Sequence, residues 1–268
     1  MQTRIVLTVA TAVLAGCGGG ADGSTVAAFY PLAFAAERIA APSTEVVDLT
    51  PRGAEPHDLE LSSRDARRIA DADVVLYLGD GFQPALERAI DSTDANAVDV
   101  LEAVDTIDGD PHVWLDPSRY ADVALRIGEA LDRPAAAEEL AAELRALDAE
   151  FRRGLTGCAR NTIVTSHAAF GYLAERYGLD QVAVTGIDPE AEATPGDLAD
   201  TVERVRDTGA TTVFFETLVS PRLAQTVARA VGADTAVLDP LESGPDEGDY
   251  FSAMRENLAA LRQALGCR

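Results

Sequence analysis

Beyond residue 24 the chain alternates short apolar runs with stretches in which apolar residues recur at helical spacing. Residues 25–30, 45–49 and 74–78 read as strands. The intervening 31–41, 62–72 and 84–90 read as helices, the first opening on Pro31 and the second capped by Ser62 or Ser63. Alternation of this kind favours parallel strands covered by helices on both faces. Between residues 117 and 155 no strand pattern occurs. Residues 118–131 are amphipathic, and Ala135, Leu140, Leu144, Leu147 and Phe151 mark a further helix over 134–155. Pro134 suits the first turn of a new helix rather than the middle of a continuing one. The alternation then resumes, with strands predicted at 162–165, 182–185, 212–215 and 236–238. Helices are predicted at 170–177, from Thr194-Pro195 onward, at 221–231 and at 249–265.

The order predicts an α/β protein of two lobes, each a mainly parallel sheet flanked by helices, joined by a long rigid helix. The lobes are expected at 25–131 and 157–268, with the connecting helix at 132–156. Residues 1–16 read as a signal peptide, because Arg4 precedes an apolar stretch too short to cross a bilayer. Leu14-Ala15-Gly16-Cys17 resembles the lipobox of bacterial lipoproteins, which makes Cys17 the expected lipidation site. Residues 17–24, rich in glycine, then form a flexible tether. The expected location is extracytoplasmic, anchored to the cell membrane.

Charge narrows the function. With 45 acidic and 22 basic residues the formal net charge is −23, the wrong sign for a nucleic-acid partner. Every basic residue is arginine, so Schiff-base chemistry and a P-loop lysine are excluded. An export signal implies an oxidising compartment, in which Cys158 and Cys267 are expected to close a disulfide; two free buried thiols are the alternative.

The chain holds 3 histidines, and each lies in a loop expected at the carboxyl end of a strand. His57 sits in Glu55-Pro56-His57-Asp58, His112 in Asp110-Pro111-His112-Val113-Trp114, and His167 ends Val164-Thr165-Ser166-His167. Loops at that end of open α/β sheets converge on one crevice. Three imidazoles gathered there suit a divalent ion such as zinc. Asp239, after the last predicted strand and before Pro240, is the expected fourth ligand. Glu216, also following a strand, is placed to accept the second N–H of a ligand histidine. Glu192 lies in an acidic loop that either helps dock the lobes or simply precedes a helix cap, and Trp114 is expected to pack.

Four stretches carry a family resemblance: Phe29-Tyr30-Pro31-Leu32, Glu55-Pro56-His57-Asp58-Leu59-Glu60, residues 110–117, and Ser166-His167 with Phe170-Gly171-Tyr172-Leu173. Together they resemble the zinc/manganese ABC-transporter solute-binding proteins, of the zinc-uptake periplasmic type with a TroA-like fold. The resemblance implies two lobes with a spanning helix and a metal held between them. His57 and His112 match the ligands of the first lobe, and His167 and Asp239 those of the second. Members resembling manganese carriers place glutamate where this chain has His167, so Zn²⁺ is the expected cargo. A His-rich loop found in many zinc members is replaced by the short acidic stretch 102–110, which leaves open whether a metallochaperone supplies the ion. The resemblance further implies a monomer that captures metal and delivers it to an ABC permease and its ATPase, with no catalysis. The alternatives are a Mn²⁺ or Fe²⁺ carrier, an adhesin of the same fold, or a zinc hydrolase, the last disfavoured because no His-Glu-x-x-His pattern occurs.

Overall fold

A computed structural model of the chain describes residues 24–42, 44–107, 109–189 and 194–268. The signal peptide, Cys17, nearly all of the tether and Glu192 lie outside the described residues.

The first half carries β1 (Ser24–Ala27), α1 (Tyr30–Ile39), β2 (Glu45–Asp48), α2 (Ser63–Asp71), β3 (Val74–Tyr77), α3 (Pro84–Asp91) and β4 (Ala97–Asp99). The helices α4 (Pro117–Ala130) and α5 (Pro134–Gly154) follow. The second half carries β5 (Thr162–Thr165), α6 (Gly171–Tyr177), β6 (Asp180–Ala183), α7 (Pro195–Thr208), β7 (Thr212–Phe215), α8 (Arg222–Val231), β8 (Asp234–Val237) and α9 (Tyr250–Leu265). Each half builds a four-stranded, wholly parallel sheet, in the orders β2-β1-β3-β4 and β6-β5-β7-β8. Both sheets therefore reverse their winding direction beside their first strand, and every strand of a sheet ends on the same side.

Three expectations need correction. β4 was not foreseen, because Ala97-Val98-Asp99 is only 3 residues long with a single buried position and offers no run to detect. β6 and β8 each begin two residues earlier than expected, at Asp180 and Asp234. Backbone pairing with β5 and β7 recruits these acids, whose side chains are exposed and invisible to a reading based on apolar runs.

Local chemistry sets the helix ends. Ser62 and Thr194 form capping boxes with Asp65 and Asp197, and Asp249 does so with Ser252. Asp116 caps α4, accepting from the N–H groups of Ser118 and Arg119, which explains the acid before Pro117. The helix α5 buries Ala137, Leu140, Ala141, Leu144, Leu147 and Phe151. Each leucine so buried contributes about 1.5–3 kcal/mol. The α4–α5 approach is close: a Cβ on Gly128 would lie 2.2 Å from that of Ala137.

The two halves do not have equal cores. One large core runs from the first sheet through α1, α4 and α5 to α9, taking in Tyr250, Met254 and Leu261. A smaller one, around Val164, Val184, Val205, Val213 and Val227, serves only α7, α8 and the facing side of the second sheet. The first turn of the carboxyl-terminal helix thus reaches the first half: Tyr250 stacks on Phe34 and lies against Tyr120, and its hydroxyl donates to the Trp114 carbonyl at 2.5 Å. Cys158 and Cys267 are joined in a disulfide that ties the start of the second half to the end of α9.

Candidate metal centre

The carboxyl ends of both sheets face one crease, and among the described residues five loops bring the histidines and the carboxylates beside them into it. The loop after β2 brings Glu55 and His57, that after β4 brings Asp110 and His112, and that after β5 brings His167. Those after β7 and β8 bring Glu216 and Glu242.

The three histidines meet at a single carboxylate oxygen. Glu242 Oε1 lies 3.0 Å from His112 Nε2, 3.5 Å from His57 Nε2 and 3.5 Å from His167 Nε2. The rings pack at centroid distances of 5.7 Å (His57–His112) and 5.4 Å (His112–His167). His112, His167, Glu216 and Glu242 are all buried, and the His57 side chain is 11% exposed. A cavity of about 80 Å³, bounded in part by Asp80, Phe82 and Ile187, reaches His57 and Asp110.

Two of the rings have their far nitrogens fixed. His112 Nδ1 is 2.7 Å from Asp110 Oδ1, which also accepts the His112 backbone N–H at 2.9 Å. His167 Nδ1 is 2.7 Å from Glu216 Oε1, an oxygen that also accepts from Ser166 Oγ at 2.6 Å. A carboxylate on Nδ1 holds that nitrogen as the donor and turns the Nε2 lone pair inward. His57 is held by packing, with its ring edge-on to Phe82 at 4.7 Å. Its loop is fixed by the buried Gln83, whose amide donates to the Pro56 carbonyl at 3.1 Å.

Burial disfavours the charged forms of His112 and His167, but the carboxylates outweigh it. His112 is raised by Asp110 and Glu242, and His167 is raised to about 10 by Glu216 and Glu242. Burial would likewise raise Glu242, yet the hydrogen bond from His112 and the nearby imidazoles of His167 and His57, each 3.5 Å away, hold it well below the usual carboxylate range. Glu55 is raised to about 8 by burial and by repulsion from Glu242.

A cation fits this arrangement. His57 Nε2, His167 Nε2 and Glu242 Oε2 are buried without a hydrogen-bond partner, which costs free energy unless something fills their valence. Among the described residues, ligand atoms of His57, His112 and Glu242 lie within 4.8 Å of one another, as do those of His167, Glu216 and Glu242.

Asp239 does not join them, and this corrects the sequence reading. Its Oδ1 accepts the Leu241 N–H at 2.8 Å, and its side chain borders a separate groove lined also by Arg52, Ser243 and Asn257. The short turn Asp239-Pro240-Leu241 carries the chain three residues further before a carboxylate reaches the crease. Leu241 takes a positive φ of 58° there, an uncommon conformation for a branched residue, and is fully buried. Asn257 of α9 grips the turn, donating to the Asp239 carbonyl at 2.7 Å and accepting the Asp239 N–H at 2.9 Å. The carboxylate that sequence reasoning missed was within reach. Val237-Leu238-Asp239-Pro240-Leu241-Glu242 offers two acids in one loop, and local pattern favours the first because it directly follows the strand and precedes a proline.

Comparison with known proteins agrees with this fold. The family model of the zinc-uptake complex component A, periplasmic (ZnuA), matches residues 25–264. The zinc-binding lipoprotein AdcA of Streptococcus pneumoniae serotype 4 is 32% identical over 281 residues, covering 91% of this chain. The chain spans only 56% of that relative's length. The high-affinity zinc uptake system protein ZnuA of Bacillus subtilis is 28% identical over 299 residues, with 94% of each chain covered. Among solved structures, the laminin-binding protein Lmb of Streptococcus agalactiae, described as an adhesin with metal-transporting activity, superimposes with a TM-score of 0.84. It shares 29% identity, with 91% of this chain and 99% of that one covered. The Zn(II)-bound ZnuA-like domain of Streptococcus pneumoniae AdcA gives 0.78 at 32% identity, covering 91% of this chain and 99% of that one. A match from residue 25 to residue 264 covers nearly every described element, and on it the chain belongs to the zinc-uptake complex component A family.

Proposed function

We propose that this chain is the metal-capturing, extracytoplasmic subunit of an ABC importer and that its cargo is Zn²⁺. The ion is held by His57, His112, His167 and Glu242, with Asp110 and Glu216 orienting two of the imidazoles. One observation carries the reading: three imidazole Nε2 atoms from distant loops point at one buried carboxylate oxygen. Three nitrogens and a carboxylate favour zinc over harder ions that prefer an all-oxygen shell. Four protein donors also complete a tetrahedron, leaving no position for a reactive water. That suits capture and release, and it argues against a zinc hydrolase.

Residues 17–24 would tether the protein to the membrane through lipidated Cys17, where it would meet a permease and its ATPase. The large core shared by the first half, α5 and α9 resists wide hinge bending, so release would come from loop shifts on docking. Adhesion is a second reading, favoured by the likeness to the laminin-binding protein, and is compatible with metal capture. Metal analysis of protein purified without chelator, followed by competition between Zn²⁺ and Mn²⁺, tests the proposal. Stoichiometric zinc that excess manganese fails to displace is expected. Protein that retains no zinc, or that exchanges it freely for manganese, would overturn it.

A further inference from the structure

Each half of the molecule seats a ligand loop of the other. The Glu242 loop leaves β8 in the second half, but residues of the first half grip it on both sides of Glu242. Trp114 donates its indole N–H to the Pro240 carbonyl at 2.7 Å, and the contact is buried. Beyond Glu242, the Gly53 N–H donates to Ser243 Oγ at 2.8 Å, and the Arg52 guanidinium donates to the Pro245 carbonyl.

The His112 loop shows the converse. It follows β4 in the first half, yet α6 of the second half holds it. Tyr172 donates its hydroxyl to the Asp110 carbonyl at 2.8 Å and accepts the Ile107 N–H at 2.8 Å. The neighbouring Gly171 makes room for the Asp110 carboxylate: a Cβ there would stand 2.4 Å from Asp110 Oδ2. Asp110 in turn holds both the backbone and the ring of His112.

From this crossed arrangement we infer that Trp114 and Tyr172 are positioning residues whose hydrogen bonds make cargo affinity depend on the docking of the two halves. Neither side chain has a donor or acceptor in the histidine cluster. Each acts through a loop, Trp114 on the one bearing Glu242 and Tyr172 on the one bearing Asp110 and His112. If the halves part slightly, both clamps loosen together, and Glu242 and His112 lose register with the ligands of the opposite sheet. A partner that pries the crease open would then discharge the ion without touching a ligand. Trp114 has a packing role too, since its ring meets Phe29, Phe82 and His112. The clamp is a separate contribution, made by one N–H.

The inference rests on the proposed metal reading, and its test separates the two. W114F and Y172F each keep an aromatic ring and delete the donor. For both variants, the double variant and the unaltered full chain, the zinc dissociation rate is measured with a fluorescent chelator. The visible absorption of the Co²⁺-loaded protein reports ligand geometry, and melting of the chelator-treated protein reports the fold. Each single variant should release zinc about tenfold faster or more, the low end for groups that orient ligands. The Co²⁺ bands should shift, and the double variant should fall short of the product of the singles because the clamps loosen as a unit. Lowered melting temperatures with unchanged release rates and Co²⁺ bands would assign both residues a merely structural role and overturn the inference. Unaltered protein that binds neither ion would instead defeat the metal reading itself.

Discussion

His112 Nε2 and Glu242 Oε1 lie 3.0 Å apart although 130 residues separate them, and neither side chain is exposed to solvent. The pair joins the two sheets at their carboxyl ends. A buried ionised carboxylate needs compensating donors or a cation, and three imidazoles around one oxygen supply the place for either.

Replacing Glu242 should therefore hurt zinc binding more than replacing Asp239. E242Q removes a proposed ligand, and isothermal titration should show affinity falling beyond the roughly 10–100-fold typical of groups that only orient ligands. D239N keeps an oxygen for the Leu241 N–H, so its loss should stay within that range. An Asp239 variant that failed to bind while E242Q bound normally would reverse this assignment.

Zinc affinity should rise with pH well beyond neutrality. In the metal-free protein His167 holds its proton up to about pH 10, and His112 is raised as well, so the ion must displace protons. Titrations in buffers of differing ionisation enthalpy should reveal proton release at pH 7.5, diminishing towards pH 10. The same shift sets a stability trend, since a base raised on folding stabilises fully below its unfolded value near 6.5 and loses that contribution as pH passes the folded value. Glu55, raised to about 8, acts in the same direction. Metal-free protein should accordingly melt at falling temperature between about pH 6.5 and 10. Zinc-loaded protein should show a flatter profile.

Gly171→Ala should disturb both fold and site. Its methyl group would stand 2.4 Å from Asp110 Oδ2, so the carboxylate or α6 must move. Overpacking of this kind costs about 1–3 kcal/mol. Thermal melting should register that loss, and zinc release should accelerate because Asp110 orients His112.

Loss of the disulfide should affect stability alone. The bond closes a span of 109 residues, for which chain entropy gives an upper estimate of about 4–5 kcal/mol. Cys158 precedes β5, whereas His167 follows it, which puts the bond at the opposite end of the strand from the site. A double Cys158→Ala, Cys267→Ala variant should melt earlier and keep its zinc affinity. A parallel drop in affinity would show that the staple reaches the crease.

Much of this protein is written in local pattern. The parallel α/β architecture follows from alternating apolar runs and helical spacing, because strands buried on both faces need continuous hydrophobic stretches and crossover helices between them. Pro134 and the Leu140-Leu144-Leu147-Phe151 face mark the long helix, and three histidines at expected strand ends mark a candidate metal site before any contact is known. Short elements escaped for the same reason: β4 and the acidic first residues of β6 and β8 exist through pairing with a neighbour, not through their own side chains. The choice between Asp239 and Glu242 could not be made locally either. Both lie in one loop, and a three-residue turn with a left-handed Leu241 decides which carboxylate faces inward. That turn is set by Asn257 and Trp114, from a helix and a loop remote in the chain. Sequence specifies which chemistry is present and roughly where. Which groups meet, and which merely hold the others in place, is settled by packing between segments that no local pattern connects.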